Sequence, residues 1–305
     1  MRKNLIIGGA GYVGSYLMNS IEGENHSIDL GLYSNILKSD VIDYSNLSKS
    51  FIKKFDNVIL LAGHSSFKMA GGTPISVFNN NVRNFTNLVS KISPDQTLIY
   101  ASSASVYGNS SRDKITEDCV FETPYNMYDA TKQMIDNYYL ASGIRGRIFG
   151  LRFGTVNGYS PNTRTDVMLN AMVFSGVKKK EVLVYNSDTR RSILGIVDLS
   201  GGINKILNSS VSTGGIFNMS SFDSTSGKMA EYVSKKIGCN LKSIDTKTNT
   251  NIVSSKYDFV LSCDKFSKTF DYEFKESMES VVDSLIYNSN NLVESHRNDV
   301  YEYGG

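Results

Sequence analysis

Residues 4–14 read Asn-Leu-Ile-Ile-Gly-Gly-Ala-Gly-Tyr-Val-Gly, an apolar run broken at once by Gly8, Gly11 and Gly14, each three residues from the next. This order forces a buried strand to turn sharply and enter a helix. Glycine reaches positive φ and admits backbone where a Cβ would collide, so the turn is built for a close neighbour. Further apolar runs follow at residues 27–30, 41–42, 57–62, 97–101 and 146–153, separated by stretches with helical spacing at 12–21, 79–92 and 128–140. Strands alternating with helices predict a parallel sheet covered on both faces, with ligands beyond the carboxyl ends of the strands.

After Gly158 the rhythm loosens. Short strands are expected at 182–185, 193–197 and 215–219, and helices at 166–175, 199–207, 228–237 and 275–287. The expected architecture is α/β: a Rossmann-type doubly wound parallel sheet with a smaller C-terminal α/β lobe for substrate. Residues 1–157 form the dinucleotide-binding part, with a return segment around 186–218, and 158–305 form mainly the substrate lobe. The polar, asparagine-rich stretch 288–305 is expected to fray at its end.

Composition narrows the partners. The 32 basic and 30 acidic residues leave a net charge of +2 over 305 residues, no footprint for nucleic acid. Lys178-Lys179-Lys180 is too short to alter that and reads as a solvated loop or helix end. The run Leu5-Ile6-Ile7 is far shorter than a signal-peptide core, and no run is long enough to span a bilayer. Cys119, Cys239 and Cys263 are odd in number and scattered, so they read as small buried hydrophobes in a reducing cytoplasm, with no metal site.

The glycine turn sits at the start of a helix, whose first amides can meet a pyrophosphate. Asp29, 21 residues after Gly8, falls at the end of the second strand, where a carboxylate takes ribose hydroxyls and repels a 2′-phosphate. With no basic residue before Lys38, the pattern favours NAD; the competing reading of Asp29 is a simple turn aspartate. Asp40, ahead of Val41, is placed at the end of the third strand near an adenine.

Tyr128 and Lys132 stand four apart on the helix at 128–140, on one face, and Ser103 lies in Ser-Ser-Ala-Ser-Val-Tyr-Gly just after the strand at 97–101. A tyrosine with an ordinary pKa near 10 is a weak base; lowering it by roughly 3 units takes about 4 kcal/mol, which lysine and an oxidised nicotinamide together can supply.

These motifs resemble the extended short-chain dehydrogenase/reductase family, in its nucleoside-diphosphate-sugar epimerase/dehydratase branch, over nearly the whole chain. Gly8, Gly11 and Gly14 match the family's cofactor glycines, with Tyr12 and Val13 between them. The run 57–63, ending Leu61-Ala62-Gly63, matches the strand lining the cofactor, and Pro74 with Asn81-Val82 matches the following helix. Ser103, Tyr128 and Lys132 match the catalytic trio, and Leu151-Arg152-Phe153 the strand after it. Arg191, in register with Val197-Asp198, resembles the arginine that grips the diphosphate; Arg190 is the rival for that role. Gly215-Ile216-Phe217-Asn218 resembles the family's Gly-x-Tyr-Asn.

Two departures carry weight. UDP-galactose 4-epimerases place a cofactor-contacting lysine where this chain has His64-Ser65, so His64 is either a cofactor or substrate contact or a structural loop histidine. The 4,6-dehydratases follow their active-site threonine with Asp-Glu; here Ala104 and Ser105 stand there, which argues against dehydration. Arg164 is either a contact for a phosphate or sugar carboxylate or an ordinary helix-start charge beside Asp166.

The resemblance implies an NAD-dependent epimerase acting at C4 of a nucleotide sugar through a transient 4-keto intermediate. Tyr128 would remove the C4 hydroxyl proton as hydride leaves for the nicotinamide, Ser103 would steady the oxygen, and Lys132 would hold the ribose. The alternatives are an NAD(P)H-dependent 4-ketosugar reductase and, remotely, a non-catalytic dinucleotide sensor. A homodimer is implied too, with Phe85, Leu88, Tyr138, Tyr139 and Leu140 as either its face or ordinary core.

Overall fold

A computed structural model of the chain describes residues 1–32, 39–108, 113–244, 257–294 and 301–304. Lys38 lies outside the described residues, as do 295–300 of the tail. Twelve strands and ten helices follow in order: β1 Lys3–Ile7, α1 Tyr12–Ser20, β2 Glu24–Asp29, β3 Asp40–Val41, α2 Lys49–Ile52, β4 Asn57–Leu60, α3 Pro74–Phe78, α4 Asn84–Val89, β5 Thr97–Ser103, α5 Met127–Ala141, β6 Arg147–Phe153, β7 Thr155–Asn157, α6 Met168–Lys179, β8 Glu181–Tyr185, β9 Arg190–Gly195, α7 Ile196–Asn208, β10 Gly215–Met219, β11 Phe222–Thr225, α8 Ser226–Ile237, β12 Asn240–Ile244, α9 Asp264–Phe270 and α10 Met278–Tyr287.

Seven strands form one sheet in the order β10-β6-β5-β4-β1-β2-β3, and every pairing in it is parallel. The period of two in the strands distributes their side chains to two cores. Leu5, Ile7, Val58, Leu60, Leu98 and Tyr100 face Phe85 and Leu88 of α4 and Ile135 of α5. Their alternates Ile6, Ile59 and Ile99 face Leu17 of α1, Leu199 and Ile203 of α7 and Phe266 of α9. From β1 the chain winds outward to β3, then returns to β4 on the other side of β1. The crevice at that reversal is where such sheets take ligands.

The second half contributes both to this sheet and to a separate layer. Strand β10 and helix α7 pack with the main sheet. Helices α6, α8 and α10 enclose a third core with β8 and β9, around Val173, Val182, Ile193, Met229 and Leu285.

Several expectations shift. The single helix expected at 79–92 is α3, a π-helical turn at Asn79–Arg83 and α4 in succession, so it starts earlier, at Pro74. Helix α6 starts at Met168, after Arg164 and Asp166 have paired in the loop before it. Lys178 and Lys179 end α6 and Lys180 caps it in a left-handed conformation, so the basic run is a helix end. The cysteines are free but only half-buried.

The clearest correction concerns the C-terminus. Residues 301–303, expected in a fraying tail, are tied by hydrogen bonds to α3 and to the segments that follow β3 and β4. The Tyr301 N–H donates to the Met69 carbonyl at 3.2 Å, the Glu302 carboxylate accepts from Thr73 N and Oγ1 at 2.6 and 2.7 Å, and the Tyr303 hydroxyl donates to Asp43 at 2.6 Å. A polar sequence tract hid two aromatic residues with partners more than 200 positions away.

Candidate active site and cofactor cleft

The glycines shape one side of the cleft. Gly8 has φ +90°, and a Cβ there would come 2.7 Å from the Ala62 nitrogen; one on Gly14 would collide with the Gly8 carbonyl. Gly11 is the N-cap of α1 and supplies no side-chain cap, so the first amides of that helix keep their donors for a ligand. Around this turn runs a cavity of about 470 Å³, within the usual range for a ligand site. It extends from the β5 and α5 end, past the glycines, to the ends of β2 and β3.

Most of the expected cofactor residues line it: Gly8, Gly11, Tyr12, Val13, Gly14, Asp29, Leu61, Ala62 and Gly63. The Asp29 carboxylate is fixed by the Ala10 and Gly31 amides, at 3.1 and 2.9 Å. Tyr12 presents its ring to the cavity, while its hydroxyl donates to the Gly158 carbonyl and so ties α1 to the second half of the chain.

Three expected contacts are displaced. Asp40 and Val41 do not line the cavity; both are exposed, and Asp40 pairs with His26 at 3.1 Å. Their places are taken by Ile42, Asp43 and Tyr44, because β3 is only two residues long and the chain bends inward after it. Asn81 also stands behind the wall. Its amide accepts from the His64 N–H at 2.7 Å and donates to Thr131 Oγ1 at 3.0 Å, and a Cβ on Gly63 would strike it at 2.6 Å. It fixes the Gly63-His64 turn.

At the other end stand Ser103, Ala104, Tyr128 and Lys132, all lining the cavity. The Ser103 hydroxyl caps the turn after β5, accepting from the Ser105 amide at 3.2 Å, and hydrogen-bonds the Tyr128 phenol. Burial raises the Tyr128 pKa, and nearby Asp129 raises it further; the Ser103 bond and the Arg164 charge pull it down. The Arg164 charge thus acts on the phenol from a loop that the sequence had not tied to Tyr128. Lys132 donates to the Ala101 carbonyl at 2.7 Å, with its ammonium 5.8 Å from the Tyr128 ring centre. Burial lowers its pKa to about 8, opposed by the Asp136 carboxylate one turn along α5.

Asp136 anchors what lies beneath. It accepts from Arg152 Nε at 2.7 Å, Ser102 Oγ at 3.0 Å and the Tyr100 hydroxyl at 3.2 Å, with both charges fully buried. Arg152 continues to the Tyr107 hydroxyl at 2.7 Å, which donates to Asn218 Oδ1 at 2.6 Å. The resemblance placed Arg152 and Asn218 only as sequence marks; together they bind β5, β6, β10 and α5 into one rigid block under Ser103.

The expected substrate contacts divide. Arg164 lines the cavity with its guanidinium paired to Asp166 at 2.9 Å. Arg190 and Arg191 both line it, but Arg190 is tied to Asp258 at 3.1 Å and to Asp113. Arg191 is the more deeply buried, and desolvation drops its pKa to about 10. His64 is fully buried on the cavity wall: Nδ1 accepts from Asn80 Nδ2 at 3.0 Å and Nε2 donates to the Tyr301 carbonyl at 2.7 Å. Both ring nitrogens thus have protein partners, which favours the structural reading, and burial lowers its pKa. Sequence reasoning missed Asp43, Tyr44, Tyr257, Tyr301 and Tyr303 on the walls. Asp43 lay three residues from the aspartate chosen, while the others carried no spacing signal.

Comparison with known proteins places this geometry. Protein CapI of Staphylococcus aureus is 30% identical over 215 residues, covering 60% of this chain and 62% of that protein. UDP-glucuronate 4-epimerase 5 of Arabidopsis thaliana is 31% identical over 166 residues, covering 52% and 37%. The chain thus spans about half the length of the curated relatives it matches. The solved structure of UDP-glucuronic acid 4-epimerase from Bacillus cereus, in complex with UDP-glucuronic acid and NAD, superposes with a TM-score of 0.78 at 19% identity, covering 95% of this chain and all of that one. That likeness establishes the fold. The glycine cradle, the free helix amides and Asp29 fit NAD. Residues 4–220 match the NAD dependent epimerase/dehydratase family, and with that match the chain belongs to this family of NAD-dependent enzymes.

Proposed function

We propose that the protein is a C4 epimerase of a nucleoside-diphosphate sugar that keeps NAD bound through the reaction. The observation that carries this reading is that one cavity holds the glycine cradle, the Ser103-Tyr128-Lys132 group and Arg191. When bound, NAD supplies a reversible two-electron acceptor for the sugar carbon. Gly8, Gly14 and the first amides of α1 would hold its pyrophosphate and Asp29 its ribose, with Lys132 at the other ribose.

The Tyr128 phenolate takes the proton from the C4 hydroxyl and, as the phenol, later returns it. Burial and the nearby Asp129 oppose formation of the phenolate, and Ser103 donating to the oxygen and the Arg164 charge work against them. Arg191, partly buried on the cavity wall, anchors the diphosphate remote from C4, so the 4-keto sugar can turn over without escaping. Ala104 and Ser105 offer no acid or base for elimination. Because the relatives named above include a UDP-glucuronate 4-epimerase, UDP-hexoses and UDP-hexuronates are the first substrates to try, with Arg164 suited to a carboxylate.

The reading also includes a cytoplasmic homodimer. Ile75 and Phe78 of α3 and Met134, Tyr138 and Leu140 of α5 are exposed apolar side chains, whereas Phe85 and Leu88 are core. Sedimentation at micromolar concentration tests the dimer. Among the described residues no helix is long and apolar enough to cross a membrane.

The test of function is to denature the purified protein and identify the released nucleotides by mass spectrometry. Near-stoichiometric NAD is expected. A protein that arrives empty and exchanges NADH or NADPH freely would overturn retention and support the 4-ketosugar reductase.

A further inference from the structure

Residues 301–303 occupy an unexpected place. In the sheet order, β2 and β3 lie farthest from Tyr128, so the end of the cleft beyond Asp29 is the adenosine end. The walls there come from Leu32 after β2 and from Ile42, Asp43 and Tyr44 after β3. The C-terminal segment contributes as well: Tyr301 and Tyr303 both line the same cavity.

The segment is fastened at three separate places in the fold. Tyr301 is held at the exit of β4, by its carbonyl accepting from His64 Nε2 at 2.7 Å and by its ring lying 5.3 Å from that of His64. Glu302 is held at the start of α3 by the Thr73 amide and hydroxyl, at 2.6 and 2.7 Å. Tyr303 is held at the exit of β3 by its hydroxyl on Asp43 and on α3 by its amide on Ser76 Oγ. Burial raises the Tyr44 pKa, and the Tyr303 phenol and the Asp43 carboxylate add to it, so two tyrosines and a carboxylate converge on one corner of the cleft.

We infer that Tyr301–Tyr303 is a clasp that completes the adenosine subsite and slows cofactor release, with Tyr303 as its contact residue. The inference rests on the NAD-bound reading above. Aromatic rings suit a flat purine, and the Tyr303–Asp43 hydrogen bond bridges the two sides of the opening. For NAD to leave from this end, the hydrogen bonds at His64, Thr73, Ser76 and Asp43 would have to open together. That coupling turns a peripheral strand of chain into a determinant of retention, an effect expected in the dissociation rate.

The test measures the NADH dissociation rate by chasing fluorescent NADH with excess NAD, together with the nucleotide content of the purified protein. The variants are a chain ending at residue 300 and the point variants Tyr303→Ala and Glu302→Gln. Truncation is expected to speed dissociation at least ~10-fold and lower the co-purified NAD; Tyr303→Ala is expected to act in the same direction and Glu302→Gln less strongly. If the truncated chain fails to fold, as judged by circular dichroism, the two point variants decide. Dissociation rates within twofold of the parent protein's in a folded variant would overturn the clasp. A parent protein that binds no NADH would instead overturn the cofactor reading itself.

Discussion

Replacing Asp136 with asparagine is a sharp perturbation of this structure, because it removes charge while preserving shape. Asp136 and Arg152 are 0% and 1% exposed, and the carboxylate accepts three hydrogen bonds. An asparagine would leave the Arg152 guanidinium buried without a counter-charge and turn an N–H toward a group that only donates. Contacts with the Tyr107 and Phe121 rings, at 5.0 and 4.8 Å, would remain but do not neutralise it. Breaking a buried pair from one side costs about 3–5 kcal/mol, a large share of the roughly 5–15 kcal/mol that holds a typical domain together.

Urea unfolding followed by tryptophan-independent far-UV circular dichroism measures that loss, and the double variant Asp136→Asn/Arg152→Met should lose less than Asp136→Asn alone. Function should move too. The Asp136 charge is what opposes the lowering of the Lys132 pKa, so without it the ammonium is lost below its present pKa of about 8. The alkaline limb of kcat/KM should shift to lower pH. A single variant destabilised by less than about 1 kcal/mol, with an unmoved alkaline limb, would refute the reasoning.

Other outcomes follow from the same geometry. Tyr128→Phe should lower kcat by about 10²–10⁴ while the protein still carries NAD, measured by turnover and nucleotide content. Arg191→Ala should raise KM for a nucleotide sugar about 10-fold or more, with binding of NADH unchanged, measured by steady-state kinetics and fluorescence titration. Burial lifts the Glu276 pKa from 4.5 to about 7, with Asp198 nearby adding to it. A carboxyl with a raised folded-state pKa contributes most below pH 4.5 and loses that contribution as pH rises through 7. Its ionisation should cost on the order of 2 kcal/mol between those limits, allowing for partial exposure, and Glu276→Gln should flatten that part of the stability–pH curve measured by urea unfolding.

What could be read from sequence was whatever local spacing encodes. The glycines at 8, 11 and 14 and the Tyr128–Lys132 pair sit within a single turn or helix, where backbone geometry alone decides who faces whom. The continuous apolar runs at β1, β4 and β5 likewise announced strands buried on both faces. Asp43 was missed because β3 has two residues, too few for an alternating pattern to set its register. The influence of Arg164 on Tyr128 comes from a loop 36 residues later in the chain, which no local spacing predicts. The clasp was invisible for the same reason at greater range: the partners of Tyr301 and Tyr303 lie more than 200 positions upstream, in a tract whose composition suggested only fraying.

The most direct test of the central claim is proton NMR of the protein as purified, with no added cofactor, incubated in heavy water with UDP-glucose, UDP-glucuronate and other nucleotide sugars in turn. The account predicts that one of them is converted to its C4 epimer with the hydrogen at C4 retained and no deuterium taken up there. Solvent deuterium at C4, or a product formed only as added NADH is consumed, would contradict it.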